Sequence, residues 1–237
     1  MSNKTFQISD LMPADSEFSL EGQFSLNGQF SIDCTHVSKV GDLFRTGFEM
    51  TSDFGHGNIS ILGKEHYTAF WETYVFKRGM ISSAQLKQPF VGLCFQLEGV
   101  TQSIELAMDF HLEIRPGEAN LMIMPPMNET FEIKEELDGS SFIIMLSEGY
   151  LEDLSRRFPY LIEPILDKVN QGELCLLRER NLTITPRMRG VIQRIRNYDD
   201  GHITGSLFLE AQILDLLSLF FTQQEQSAPV SRLSLPR

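Results

Sequence analysis

The sequence predicts a mainly β domain, a sandwich or barrel, followed by a helical region. Three observations carry this. Residues 41–146 hold a run of short apolar segments separated by Gly/Pro turn signals, the pattern of an antiparallel all-β unit. From Ser147 onward the apolar period changes from roughly two to roughly 3.6 residues. The composition, 42% hydrophobic and 22% charged over 237 residues, is that of a globular chain able to bury a sizeable core. The length suits one β-rich domain with a helical appendage, or two small domains.

Residues 1–40 read as an N-terminal arm. The first 17 form a polar leader with no apolar h-region, so no secretory signal is expected. A repeat follows, Phe18-Ser-Leu-Glu-Gly-Gln, Phe24-Ser-Leu-Asn-Gly-Gln and Phe30-Ser-Ile. Phe18, Leu20, Phe24, Leu26, Phe30 and Ile32 share one parity and would line one face of an extended chain. Gly22 and Gly28 could instead mark turns between very short strands. Strand candidates within 41–146 are 57–62, 69–76, 90–98, 103–108, 111–114, 120–124, 130–135 and 142–146. Between them lie the turn signals Lys77-Arg78-Gly79, Arg115-Pro116-Gly117, Pro125-Pro126-Met127-Asn128 and Asp138-Gly139-Ser140.

Residues 147–226 read as helical. Ser147 caps a helix with the stripe Leu151, Leu154 and Phe158. A second short helix over 160–169 is expected to be interrupted near Glu163-Pro164. Thr185-Pro186 is an N-cap followed by proline at the first helical position, and opens the stripe Met188, Val191, Ile192 and Ile195. The last helix, about 206–221, is apolar on two sides: Leu207, Ala211, Leu214 and Leu217 on one, Leu209, Ile213, Leu216 and Phe220 on the other. Such a helix needs cover on both sides. One side packs on the barrel or the preceding helix; the other invites a second copy of the chain. The dimer residues expected here are Leu207, Ala211, Leu214 and Leu217, with Ile192 and Ile195 beside them. Residues 227–237 look like a polar, proline-punctuated linker.

Charge excludes one class of partner. The net charge of −12 lies entirely in residues 1–149, with 9 Lys+Arg against 21 Asp+Glu; residues 150–237 balance at 11 against 11. Duplex DNA needs a cationic surface, so specific DNA binding is not expected of this chain. The arginines at 178, 180, 187, 189, 194 and 196 read as a solvated helix face. The stretch 207–221 contains Glu210 and Asp215 and is short for a bilayer span, so no membrane partner and a cytoplasmic location are expected.

Chemistry-bearing motifs are sparse. Cys34, Cys94 and Cys175 form no CxxC pair, and Cys94 reads as a small buried hydrophobe. His36, His56, His66, His111 and His202 form no HxH or HExxH pair, so no metal and no cofactor are expected. No GxSxG elbow, Walker loop or dinucleotide fingerprint occurs, and the chain is expected not to be an enzyme. The better-supported chemistry is small-molecule binding by aromatic side chains on two early strands, with Phe70, Trp71, Tyr74, Phe90 and Phe95 as candidate ligand-binding residues; plain core packing is the alternative for each.

The segments 90–99 (FVGLCFQLEG), 112–126 (LEIRPGEANLMIMPP), 141–154 and 207–219 (LFLEAQILDLLSL) resemble, in this order, the regulatory half of AraC-type transcription regulators. They are most similar to the subgroup of pyochelin and related siderophore regulators. The resemblance implies a cupin-like double-stranded β-helix barrel followed by C-terminal dimerisation helices. It further implies a homodimer, a small effector in the barrel with a siderophore as candidate, and DNA contact only through a helix-turn-helix domain beyond Arg237. Two alternatives stand beside it: a stand-alone cupin-like small-molecule-binding protein or cupin enzyme, and a pure dimerisation module with a side-chain-filled barrel.

Overall fold

The structure is a computed structural model. It describes residues 4–7, 22–26, 30–53, 55–64, 66–77, 80–86, 88–105, 110–133, 137–198 and 204–227. Of these, 4–7, 22–26, 30–32, 80–86, 101–105, 127–133, 137 and 226–227 are described through their backbone alone. The strands are β1 (Lys4–Gln7), β2 (Gly22–Leu26), β3 (Phe30–Val40), β4 (Leu43–Ser52), β5 (Gly55–Lys64), β6 (Tyr67–Phe76), β7 (Met80–Leu86) and β8 (Phe90–Glu98), then β9 (Thr101–Glu105), β10 (Phe110–Ile114), β11 (Glu118–Met124), β12 (Met127–Ile133) and β13 (Leu137–Leu146). There follow α1 (Glu148–Arg157), α2 (Pro159–Asn170), β14 (Cys175–Leu176), β15 (Leu182–Thr183), α3 (Pro186–Arg196) and α4 (Gly205–Ser227).

Among the described residues the strands form two sheets, antiparallel at each pairing below. A six-stranded sheet runs β1-β2-β7-β12-β9-β10, and a nine-stranded sheet runs β14-β11-β8-β13-β6-β5-β4-β3, with β15 on β11. The two meet where Leu112 and Ile114 of β10 pack on Cys94, Met122, Met124 and Met145 of the larger sheet. The chain is thus mainly antiparallel β with four described helices. Position 40 does not divide it: β3 pairs with β4 from Phe30↔Ser52 to Val40↔Leu43, and β2 pairs with β7, so the sheets extend into the segment set apart as an arm. The repeat's remaining positions, 18–21 and 27–29, the tail beyond 227 and His202 lie outside the described residues.

Turn chemistry follows the sequence. Arg115-Pro116-Gly117-Glu118 closes with Glu118 N–H donating to the Arg115 carbonyl at 3.0 Å and Gly117 at φ 83°, as a type II turn requires. A β-bulge shifts the β13–β8 register between Ser140, opposite Glu98, and Ser141, opposite Gln96.

The helices cover the outer face of the larger sheet. That face presents Ala69, Trp71, Leu93, Phe95, Leu121, Ile123, Phe142 and Ile144, all in one core with Leu151, Leu154, Ile162, Ile165, Met188, Val191, Ile192, Ile195, Leu209, Ile213, Leu216 and Phe220. Each Leu, Ile, Val, Phe or Met side chain among them contributes about 1.5–3 kcal/mol by leaving water. Helix α1 starts as expected: Ser147 Oγ accepts from Tyr150 N–H at 3.2 Å, Glu148 sits in the first turn and Arg156 and Arg157 in the last, complementing the dipole. Phe158, expected on the buried stripe, is the exposed residue after α1.

Helix α2 corrects one expectation. It continues through Pro164, which removes one backbone hydrogen bond but lies on the exposed side. The carbonyl it frees belongs to Tyr160, itself exposed and open to solvent, while Ile162, Ile165 and Val169 anchor the opposite side. Helix α3 is capped by Thr185 Oγ1, which accepts from Met188 N–H at 3.2 Å, and buries all four residues of its expected stripe.

Helices α3 and α4 form an antiparallel pair: Arg187, early in α3, meets Asp215 of α4 at 3.1 Å, and Arg194, later in α3, donates to Gln212 Oε1 at 2.7 Å. Two expected dimer contacts, Ile192 and Ile195, are buried in this chain's own core, as is Leu217. Leu217 lies about 40° round the helix from Ile213, on the flank of the buried side, so α4 keeps it. Leu207 is 70% exposed and Ala211 is exposed, so these two remain on the outer side, while Leu214 is half-buried and packs in part against the core. By length and composition α4 could cross a membrane over Gly205–Glu225. Six of its apolar residues, Leu209, Ile213, Leu216, Leu217, Phe220 and Phe221, are instead buried in the core.

Candidate functional site

The inward face of the nine-stranded sheet follows from strand parity and register. One row across it reads Phe48, Ile59, Glu72, Ser141 and Gln96. The next reads Thr46, Ile61, Phe70, Ile143, Cys94 and Asn120. A third reads Phe44, Gly63, Thr68, Met145, Gly92 and Met122, and Phe90 lies opposite Met124 beyond it. The Phe90 ring lies over Gly92, where an added Cβ would stand 2.4 Å from it.

This face is apolar and methionine-rich with a few polar groups set into it. Phe70, Glu72, Tyr74, Phe90 and Ile143 are only half-buried, although they face the space between the sheets. Glu72 Oε2 accepts from Ser141 Oγ at 3.1 Å. Its open surface faces that space, so burial still dominates and raises the carboxyl above the ordinary carboxylate range, opposed in part by the Ser141 hydrogen bond. Burial, with the Glu72 charge adding to it, pushes the Cys94 thiol up to about 12, so Cys94 stays protonated and unreactive at neutral pH. Gln96 Nε2 donates to the Glu98 carbonyl at 2.7 Å and to Tyr74 OH at 3.4 Å. The buried Thr68 hydroxyl finds no hydrogen-bond partner among the described residues.

Asn120 at the rim is structural. Its Nδ2 donates to the Arg178 carbonyl at 2.8 Å and to Asn181 Oδ1 at 2.9 Å; its Oδ1 accepts from Leu121 N–H and Arg178 N–H. This fastens the segment before β15 over the sheet edge.

Of the residues predicted to bind a ligand, Phe70, Tyr74 and Phe90 face the interior. Trp71 and Phe95 do not. Both point to the opposite face and pack on Phe142, with ring centroids 4.7 and 5.9 Å apart. The period of two along a strand forbids neighbours such as Phe70 and Trp71 from sharing a face. Sequence reasoning missed Glu72, Ser141, Gln96 and the three methionines 122, 124 and 145; their parity with Phe70 and Phe90 was the available signal. Among the described residues no three His, Cys, Asp or Glu side chains come together to hold a metal, and His111 is exposed on β10.

The interior is joined to α4 through β6. Tyr67 OH donates to the Ser206 carbonyl at 3.2 Å, and its ring meets Tyr150 of α1 edge-on at 5.1 Å. Burial and the Glu210 carboxylate of α4 raise both phenols above their ordinary range. Nearby, Arg45 donates to the Tyr198 carbonyl at 2.7 Å, and Tyr198 stacks on Phe208 of α4 at 4.5 Å.

Among curated proteins none matches the chain by sequence. Solved structures similar to it include the AraC-like transcriptional activator CuxR, at 9% identity and a TM-score of 0.47, covering 86% of this chain and 65% of that one. KdgF from Halomonas sp. is similar at 13% identity and a TM-score of 0.28, covering 47% of this chain and 86% of that one. A mutant of Bacillus subtilis oxalate decarboxylase OxdC is similar at 11% identity and a TM-score of 0.28, covering 61% and 43%. This chain therefore spans about two thirds of the CuxR chain and less than half of the decarboxylase. A family model, the regulatory protein PchR N-terminal domain, matches residues 67–235, a span holding β6 to α4, the inward face and the helices behind it. The chain belongs to this family, the N-terminal regulatory domain of PchR-type, AraC-like transcription regulators.

Proposed function

We propose that the chain is the effector-sensing module of a transcription regulator. A small molecule binds between the two sheets in a cupin-like barrel, copies of the chain associate through the outer side of α4, and DNA is contacted by a separate helix-turn-helix domain. The chain itself performs no catalysis and works in the cytoplasm. The observation that carries this is the inward face: Phe70, Tyr74, Phe90 and Ile143 retain open surface there, beside a few polar groups, the usual composition of a small-molecule site. Leu207 and Ala211 support association, because they are exposed apolar residues on a helix whose other side is already buried, with Leu214 partly packed on the core beside them.

Thermal unfolding across a panel of metabolites and siderophores tests the effector reading. A ligand at a hundred times its Kd stabilises the native state by about 2.7 kcal/mol, which raises Tm by about 5–11 °C at this chain length. Ile143→Trp, which fills the interior, is expected to abolish that rise while keeping the fold. A panel in which no compound raises Tm refutes the reading.

A further inference from the structure

We propose that Glu72 recognises a positively charged nitrogen, an ammonium or guanidinium group, on an effector whose apolar body lies against Phe70, Phe90 and Met145. This rests on the effector reading above. Glu72 stands inside the face that would hold the ligand, in a row with Ser141 and Gln96. Its one described side-chain partner is the Ser141 hydroxyl, which leaves most of the acceptor capacity of a carboxylate unused.

Among the described residues none supplies a cation to it. The facing strands β2, β7, β9, β10 and β12 contain no lysine or arginine, and neither do β6, β8, β11 and β13. The lysines and arginines on the remaining strands are Lys4, Lys39, Arg45 and Lys64. Lys64 is paired with Asp42 at 3.1 Å, and Arg45 is turned to the Tyr198 carbonyl. Lys4 and Lys39 lie on β1 and β3, the outermost strands of the two sheets. A carboxylate held away from water without a counter-charge is costly, and a ligand ammonium removes that cost through a charge-assisted hydrogen bond. The aromatic faces of Phe70 and Phe90 favour the same charge. The buried, unpartnered Thr68 hydroxyl offers a further polar contact on the same face. A metal ion is a poorer fit, because among the described residues no three His, Cys, Asp or Glu side chains come together there.

Three probes of nearly equal size and different charge test this: phenethylamine, 2-phenylethanol and 3-phenylpropionate, each titrated calorimetrically into the native chain, Glu72→Gln and Glu72→Asp. The native chain is expected to favour the amine over the alcohol by roughly ten- to a hundredfold, the range for a hydrogen bond to a charged group, and to bind the carboxylate weakest. Glu72→Gln, which keeps the volume and can still accept from Ser141, should bind amine and alcohol alike, while Glu72→Asp keeps a reduced preference. A native chain that binds the alcohol or the carboxylate as well as the amine overturns the inference, as does an amine preference that survives in Glu72→Gln. Both results leave the effector reading intact. If none of the three binds but another panel compound does, the inference alone falls; if nothing binds, both fall.

Discussion

Substituting Gly99 by alanine should destabilise the chain far more than the same change at Gly117, and the difference can be worked from geometry. Both glycines have positive φ, 66° and 83°, where an L-residue costs about 1–2 kcal/mol. At Gly117 the added Cβ would meet only the end of the Arg189 side chain, at 3.6 Å, an ordinary contact. At Gly99 it would stand 1.9 Å from the Asp138 carbonyl oxygen and 2.8 Å from Gly139 Cα. Those are backbone atoms of the neighbouring strand, so relief requires β13 to move away from β8, at a further cost of about 1–3 kcal/mol on the scale of overpacked sites. The expected totals are about 1–2 kcal/mol for Gly117→Ala and about 2–5 kcal/mol for Gly99→Ala, or Tm losses of about 2–8 °C and about 4–20 °C. The displaced segment adjoins the bulge that sets Ser141 opposite Gln96, so Gly99→Ala should also weaken the Ser141–Glu72 contact. Urea unfolding of both variants, analysed at a common slope, measures the difference. If Gly99→Ala is no less stable than Gly117→Ala, the close crossing of β8 and β13 is wrong.

Glu72 supplies a pH signature. Its folded pKa is raised from 4.5 by burial, so between the unfolded and folded values the native state binds more protons than the unfolded state, and stability falls as pH rises through that window. Native chain and Glu72→Gln should differ little below about pH 4 and diverge above it, with the variant the more stable; parallel stability profiles from pH 3 to 8 would contradict this. On the outer side of α4, Leu207→Glu should leave the fold within about 0.5 kcal/mol, because the side chain is 70% exposed, yet convert a dimer to a monomer by light scattering. A native chain that is already monomeric at micromolar concentration rules out association through α4. Thr185→Ala should cost about 1 kcal/mol through the lost N-cap of α3, read by urea denaturation, and no loss would mean that the Thr185 hydroxyl leaves the Met188 N–H to water.

What the sequence shows well is what local pattern alone decides. β8 is legible to the residue because Val91, Leu93 and Phe95 bury on one side while Gly92, Cys94 and Gln96 bury on the other, leaving a continuous apolar run closed by a glycine. The caps Ser147 and Thr185 are legible because their hydroxyls act within three residues. β3, β4 and β7 are hard to see. Phe30–Val40 and Met80–Leu86 are rich in serine and polar residues, and such strands are held by neighbours distant in sequence. The site fails for a different reason. Counting aromatics brings Trp71 and Phe95 forward, whereas parity separates them from Phe70 and brings in Glu72, a lone carboxylate that looks like any solvated strand residue until the second sheet is known. Leu217 fails likewise, because a stripe read in steps of three and four does not say where the buried side ends.

Strand β6 links the inward face of the larger sheet to the helices behind it. Its alternation places Thr68, Phe70, Glu72 and Tyr74 toward the space between the sheets and Tyr67, Ala69 and Trp71 toward the helices. Tyr67 reaches the first turn of α4 directly through the Ser206 carbonyl, and Trp71 packs on Phe142 in the core that α4 shares. A molecule that draws Glu72 or Phe70 inward acts on a backbone one residue away from groups that seat the helix. Because the core around Tyr67 and Trp71 is close-packed, it resists gradual deformation and favours discrete arrangements. Under the proposed effector reading, a bound molecule can bias α4 only by the difference in its affinity for those arrangements. On that reading the sensitivity of the module would lie in the few polar contacts of the interior, where affinity differs most between two positions of one strand, and the larger apolar surface around them would give binding without discrimination.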